Sequence, residues 1–157
     1  MTGPLVLRVG AIDEPDAVRM TDEVQRWYVE VYGGPDDDPT PPADFAAPRG
    51  RFVIGEVDGA AVAMGGWTRD GDDVKLRRMY VRPAGRRRGY AGLLLGELER
   101  LAALDGARRA VLTTGLPQTA AIALYRAHGY ADVPAFGFHA ASSTAVHLGK
   151  PLALVGA

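Results

Sequence analysis

Residues 76–92 read LRRMYVRPAGRRRGYAG and carry the clearest structural signal in the chain. Residues 74–81 suit a central β-strand that ends before Pro83, and apolar residues recur at helical spacing from Tyr90 onward. A strand therefore passes through a basic, glycine-containing loop into a helix. The first turn of a helix presents free N–H groups, and glycine lets an anion come close to the backbone. Three arginines alone would indicate a solvated turn, but with the strand and the glycines they predict a phosphate-binding site.

The segments before this junction predict a meander. Turns at Asp58-Gly59 and Asp70-Gly71 separate stretches with the alternation of antiparallel strands. A helix begins near Pro15, where acidic residues suit the first turn, and it ends at Gly33. The strands expected here, besides residues 74–81, are residues 5–9, 51–57 and 61–68.

The segments after the junction predict a βαβ unit. The helix from Tyr90 ends at Gly106, so the strand at residues 110–114 should run parallel to residues 74–81 through a right-handed crossover. A second helix, a strand at 131–136 and a strand at 145–149 follow. The expected fold class is therefore α/β (α+β), with a mixed, mostly antiparallel central sheet of about six or seven strands flanked by helices. We expect a single domain over residues 1–157.

A long loop at residues 33–50 interrupts this pattern. It contains five prolines and four aspartates, and Phe45 is its only bulky apolar residue. Such loops serve as functional lids or as flexible filler, and both readings stay open here. Phe45 would anchor the loop if the loop is ordered. The acidic run at residues 36–38 is more typical of a solvated face than of a site that attracts a cationic acceptor.

Composition excludes several classes of function. The chain has no cysteine, so it has no disulfide, thiolate zinc site or cysteine nucleophile, and we expect no metal. The net charge of −1 predicts no general attraction to nucleic acid or membrane, and no stretch reaches the ~18 apolar residues of a membrane helix. A cytoplasmic location is the default expectation. Residues 74–96 nevertheless contain no acid and carry seven basic residues, which favours an anionic ligand.

Two features of the sequence exclude some candidate anions. The loop lacks the Lys-Ser or Lys-Thr ending of a nucleoside-triphosphatase loop. The first strand ends in Gly10-Ala11-Ile12-Asp13, which is not a dinucleotide-binding glycine fingerprint. The candidate that remains is a ligand with a diphosphate group, bound midway through a mixed sheet.

Two motifs resemble those of the GNAT superfamily of acyl-CoA-dependent N-acyltransferases. Residues 86–91, RRRGYA, match the family's glutamine/arginine-x-x-glycine-x-glycine/alanine diphosphate loop. Residues 124–130, LYRAHGY, are similar to its leucine-tyrosine-x-x-x-glycine-aromatic signature. The motifs cover residues 76–92 and 118–130, while the strand and helix pattern fits over residues 5–148.

The resemblance implies acetyl-CoA as the acyl donor and a sheet that splays to admit its pantetheine arm. Backbone groups of Met79, Tyr80 and Val81 would pair with the arm as an added strand does, and a donor of Met79 or Tyr80 would polarise the thioester carbonyl. The diphosphate would be held near the Arg86 side chain by backbone N–H groups of Arg87, Arg88, Gly89, Tyr90, Ala91 and Gly92.

The resemblance also implies catalytic and positioning roles on the second helix. Tyr125 would protonate the departing thiolate of coenzyme A. Gln118 lies on the same helical side and would face the cofactor arm, although many family members have asparagine there. The implied reaction is direct attack of an amine on the thioester through a tetrahedral intermediate.

The base and the acceptor stay open at this point. Glu30, Asp44, Glu56 and Asp73 are candidate bases by chemistry only, and a water chain is an alternative. His128 and His139 are expected to be exposed or structural. The expected acceptor is a primary amine of a small molecule; alternatives are a protein lysine or N-terminus, or a non-catalytic acyl-CoA-binding module. Domains of this kind commonly pair, so a homodimer is kept among the expected assemblies.

Overall fold

The computed structural model describes residues 3–153, which form a seven-stranded sheet and three α-helices. The helices are α1 (Pro15–Tyr32), α2 (Tyr90–Leu104) and α3 (Thr119–Ala127). The strands are β1 (Val6–Val9), β2 (Gly50–Val57), β3 (Ala60–Asp70), β4 (Asp73–Val81), β5 (Arg109–Gly115), β6 (Ala131–Asp132) and β7 (Ala145–Pro151).

The sheet is mixed and mostly antiparallel, as predicted. Its spatial order is β1-β2-β3-β4-β5-β7-β6, and β4 with β5 is the parallel pair that α2 connects. Apolar residues pack on both faces of the sheet. Leu94, Leu95 and Leu98 of α2 are fully buried on one face, while Met20 and Val24 of α1 are buried on the other. Two cores therefore hold the sheet between α1 and α2.

Strands β4 and β5 diverge along their length. Their pairing covers only Asp73 with Arg109, Val74 with Ala110 and Lys75 with Val111. Strand β4 then continues to Val81 and β5 to Gly115 without further pairing to each other. The sheet therefore opens in the middle, and backbone groups on one edge of β4 face a gap. This is the splayed arrangement that the resemblance implied.

A β-bulge in β4 lies beside the gap. The register with β3 shifts between the pairs Met64 with Tyr80 and Gly66 with Arg77. Arg78 lies inside the shift and has a positive φ of 59°. Such a backbone conformation is unfavourable for a residue with a side chain. Because the position is not a glycine, the sequence did not predict it.

The loop between α1 and β2 is anchored to the sheet. It contains a 3₁₀ helix, Pro42–Phe45, and Phe45 is buried with its ring centroid 6.0 Å from that of Phe52. Asp38 lies 3.2 Å from the Lys75 ammonium and 3.1 Å from the Arg77 guanidinium. The prediction of a solvated acidic run is therefore wrong for Asp38, because its cationic partners on β4 are distant in sequence.

Other differences are small. The strand predicted at residues 131–136 is limited to Ala131–Asp132, since Pro134 has no N–H to extend the pairing with β7. Strand β1 begins at Val6, one residue later than expected. Among residues 3–153, no helix is long and apolar enough to cross a membrane.

Candidate active site

A long groove of about 630 Å³ lies where the sheet opens. Its walls come from α1, the end of β4, the start of α2 and the start of α3. Ten of the eleven predicted cofactor-binding residues line it, together with Tyr125. The ten are Met79, Tyr80, Val81, Arg86, Arg87, Gly89, Tyr90, Ala91, Gly92 and Gln118. Arg88, the eleventh, is exposed in the same loop and is not part of the lining.

The start of α2 forms one end of the groove. Gly89 is its N-cap with a φ of 78°, a conformation that glycine adopts without strain. The N–H groups of Tyr90, Ala91 and Gly92 occupy the first helical turn, and none donates to another described residue. Tyr90 contributes only its backbone here, because its side chain is buried in the core. Three N–H donors and the positive end of the helix therefore lie together at this end of the groove.

The arginines of the loop differ in role. The Arg86 side chain donates from Nε to the carbonyl oxygen of Val81 (3.1 Å) and lies over the Tyr80 ring at 6.0 Å. Arg87 is exposed beside the groove and has a positive φ of 63°. Arg86 therefore braces the turn, while Arg87 offers a charge to an anion in the groove.

Tyr125 closes the inner wall of the groove. Its side chain is 7% exposed and its ring lies 5.6 Å from that of Tyr130. Its hydroxyl makes no hydrogen bond with another described residue, and Tyr125 lines the cavities at the opening between β4 and β5. Burial, and secondly the neighbouring Tyr28, raise the pKa of the Tyr125 hydroxyl above the usual phenol range. The phenol is therefore protonated at neutral pH.

Gln118 separates the groove from a second cavity. Its Nε2 donates to the Tyr32 hydroxyl at 2.9 Å, and Tyr32 packs against Gly115, where a side chain would collide with the ring. Gln118 lines the groove, and its side chain is already bonded to α1. Sequence reasoning did not find this contact, because the partners are 86 residues apart.

The second cavity, the outer pocket, has a volume of about 220 Å³. Its lining includes Tyr28, Tyr32, Asp36, Thr113, His139 and Thr144. His139 Nε2 lies 3.1 Å from Asp36 Oδ1, and the Asp36 N–H donates to Gln25 at 2.8 Å. His139, which was expected to be exposed or structural, has a side chain that is 37% exposed and that pairs with this carboxylate at the wall of the outer pocket. Residues 103 apart in sequence give no local signal of such a pair.

The four candidate bases named from chemistry lie elsewhere. Glu56 is paired with Arg8 at 2.6 Å and Asp73 with Arg109 at 2.8 Å. Asp44 lies 3.8 Å from Arg49, and Glu30 is exposed on α1. None of the four lines the groove or the outer pocket.

A third cavity of about 80 Å³, the inner chamber, lies between β4 and β5. It shares Tyr28, Asp36, Thr113, Thr114, Gln118 and His139 with the outer pocket, and it shares Met79 and Tyr125 with the groove. Burial and nearby Asp36 raise the pKa of Tyr28 to about 12, while Arg78 acts in the opposite direction. The groove and the outer pocket thus meet at the chamber, beside the Tyr125 hydroxyl.

Known proteins resemble this chain in sequence and in fold. The sequence pattern of the acetyltransferase (GNAT) family matches residues 21–130. An IAA acetyltransferase from Azospirillum brasilense is 29% identical over 137 residues, which cover 86% of this chain and 90% of that protein. A protein from Klebsiella pneumoniae assigned as an acyl-CoA N-acyltransferase has a TM-score of 0.82 at 24% identity, covering 95% of this chain and 98% of that one.

A further solved structure contains the acyl donor. It is a GNAT family acetyltransferase from Elizabethkingia anophelis with acetyl-CoA bound, similar with a TM-score of 0.70 at 14% identity over 94% of this chain and 98% of that one. At these identities the structural likenesses show the fold, and the family pattern over most of the chain shows descent. The chain therefore belongs to the GNAT family of acetyltransferases, enzymes that use acetyl-CoA as the acyl donor.

Proposed function

We propose that this protein transfers the acetyl group of acetyl-CoA to a primary amine of a small molecule, and that one domain carries out the whole reaction. The observation that carries the proposal is the meeting of groove and outer pocket beside the Tyr125 hydroxyl. A donor in one cavity and an acceptor in the other would approach each other at a protonated phenol.

The groove fits the chemistry of coenzyme A. The unpaired N–H groups of Tyr90, Ala91 and Gly92 suit a pyrophosphate at the positive end of α2, and Arg87 adds a full charge. The edge of β4 beyond Lys75 has no strand beside it on the β5 side, so it can pair with the amides of an extended arm. When bound, acetyl-CoA supplies an acetyl thioester whose C–S bond breaks as the new C–N bond forms.

Tyr125 and His139 divide the proton transfers. Tyr125 holds a proton at neutral pH and gives it to the sulfur that leaves. His139, oriented by Asp36, takes a proton from the attacking amine. A backbone N–H of Met79 or Tyr80, beside the bulge, donates to the thioester carbonyl.

The size of the outer pocket favours a small acceptor. A protein lysine or N-terminus would need an open groove, whereas the loop at residues 33–49 is tied to β4 and contributes Gly34, Pro35 and Asp36 to the wall. The name of the Azospirillum relative also specifies one compound, IAA, as the molecule on which that protein acts.

The test combines turnover with binding. Release of free thiol from acetyl-CoA is measured with a mixture of small primary amines and, separately, with lysine-containing peptides; we expect release with the small amines. Coenzyme A is titrated calorimetrically into the natural protein, Arg87→Met and, as a matched control, Arg26→Met, which alters an exposed arginine of α1 outside the cavities. Arg87→Met should weaken binding about fivefold, since one exposed and solvent-screened charge is lost. Release with peptides only, or no heat with coenzyme A, would contradict the proposal.

A further inference from the structure

Two residues that line the inner chamber each carry a buried polar atom with no partner in residues 3–153. One terminal nitrogen of the Arg78 guanidinium and the Thr114 hydroxyl oxygen are shielded from solvent and make no hydrogen bond with a described residue. Both residues line the chamber of about 80 Å³. Buried polar groups in native proteins are almost always bonded, so two unpaired atoms on residues that line the same cavity indicate a ligand.

The backbone directs Arg78 into this chamber. In a regular strand, Arg78 would follow Val74 and Leu76 toward the apolar face under α2. The bulge interrupts the alternation, and Arg78 adopts a φ of 59°. Bulges near active sites commonly re-aim a side chain in this way. The strained backbone at Arg78 keeps the guanidinium in the chamber and out of the apolar core under α2.

The charges around the chamber do not balance without a ligand. Three cationic side chains line it, Lys75, Arg77 and Arg78, against two carboxylates, Asp36 and Asp38. Asp38 pairs with both Lys75 and Arg77, and Asp36 pairs with His139. Arg78 has no acidic partner among the described residues, so one positive charge is left for an anion.

We propose that the acceptor is a free amino acid, with its carboxylate bound by Arg78 and Thr114. This inference rests on the proposed function and names its substrate class. A carboxylate accepts from a guanidinium and a hydroxyl together, and the chamber has room for a group of that size.

The position of Arg78 explains why the amine would react. Arg78 directly precedes Met79, which lines both the groove and the chamber, and Tyr125 lines both as well. In an α-amino acid the amine is one carbon away from the carboxylate. Anchoring the carboxylate at Arg78 therefore holds the amine at the junction with the groove, and the side chain extends into the outer pocket beside the packed rings of Tyr28 and Tyr32.

The experiment compares amino acids with their carboxamides, which keep the amine and lose the charge. L-leucine, L-methionine and L-phenylalanine, each with its amide, are tested by calorimetry for binding to the full chain saturated with coenzyme A. The same pairs are tested for thiol release from acetyl-CoA. The variants are Arg78→Met, Arg78→Lys and the control Arg26→Met.

We expect at least one amino acid to bind about 10- to 100-fold more tightly than its amide, which is the range of a charge-assisted contact. Arg78→Met should abolish this preference, Arg78→Lys should keep part of it, and Arg26→Met should leave it unchanged. Equal binding of acid and amide, tighter binding of phosphoethanolamine than of every amino acid, or no amino-acid binding would overturn the inference.

The two proposals fail separately. Amino-acid binding that depends on Arg78 but gives no thiol release supports the inference and contradicts the proposed transfer. Thiol release that is equal for acids and amides, with Arg78→Met unchanged, supports the transfer and overturns the inference.

Discussion

Replacement of Tyr125 by phenylalanine removes a single oxygen from the proposed site. Because the hydroxyl makes no hydrogen bond with a described residue, its loss breaks no hydrogen bond within residues 3–153. The ring stays buried and keeps its packing on Tyr130. We therefore expect the free energy of unfolding to change by about 0.5 kcal/mol or less.

The effect on catalysis should be much larger. Loss of a general acid lowers kcat by roughly 10²- to 10⁴-fold, or about 3–5 kcal/mol of transition-state stabilisation. The dissociation constant of coenzyme A should change by about twofold or less, since the proposed pyrophosphate donors belong to α2 and not to α3. The assay is release of free thiol, and the absence of cysteine from the chain removes any background signal.

Tyr130→Phe is the matched control. It removes a hydroxyl that donates to Glu99 at 2.8 Å on the far side of the same aromatic pair. It should cost about 1–2 kcal/mol of stability and leave kcat within about twofold. A Tyr125→Phe enzyme that retains kcat within about threefold of the natural protein would refute the role of the phenol as the acid.

Three further outcomes are expected. His139→Gln and Asp36→Asn should each lower kcat by about 10- to 100-fold. The double variant should be no slower than either single variant, because the two residues act as one unit. Additive losses of kcat in a double-mutant cycle would contradict the pairing. Phe45→Ala should lower the free energy of unfolding by about 3–5 kcal/mol in urea titrations, since the ring is buried against Phe52. The control Phe138→Ala changes an exposed ring and should lower it by about 1 kcal/mol or less. Equal losses would show that Phe45 does not anchor the loop. The free energy of unfolding should fall above pH 10. Burial raises the pKa of Tyr28 from 10.0 to about 12 and also raises the pKa values of Tyr125 and Tyr130, so the unfolded chain binds fewer protons than the folded chain in that range. Urea midpoints that stay constant from pH 9 to about pH 11 would contradict this prediction.

Local patterns predicted most of the fold correctly. The turns at Asp58-Gly59 and Asp70-Gly71 and the helix ends at Gly33 and Gly106 depend on backbone conformations that few residues other than glycine adopt. The strand at 131–136 was overextended because β7 pairs with only its first two residues, and pairing partners are not visible in a local pattern.

The donor side of the proposed site was also accessible from sequence. A strand, a basic glycine loop and a helix start are contiguous in the chain, so their geometry follows from local rules, and the groove forms where they were expected to lie. The acceptor side was not accessible. Asp36, Arg78, Thr114 and His139 come from four separate segments, and the bulge that aims Arg78 has no glycine to reveal it.

By itself, the sequence of this protein determined the order of strands and helices along the chain, the glycine-capped basic start of α2 and the position of the tyrosine on α3, because each depends on residues close together in the chain. Tertiary structure alone decided which charges meet: Asp38 with Lys75 and Arg77, His139 with Asp36, and Arg78 with no acid within residues 3–153. The physical reason is that electrostatic pairing depends on distance in space and on burial, and the splayed sheet brings these side chains into one cavity only after β4, β5 and the loop have packed.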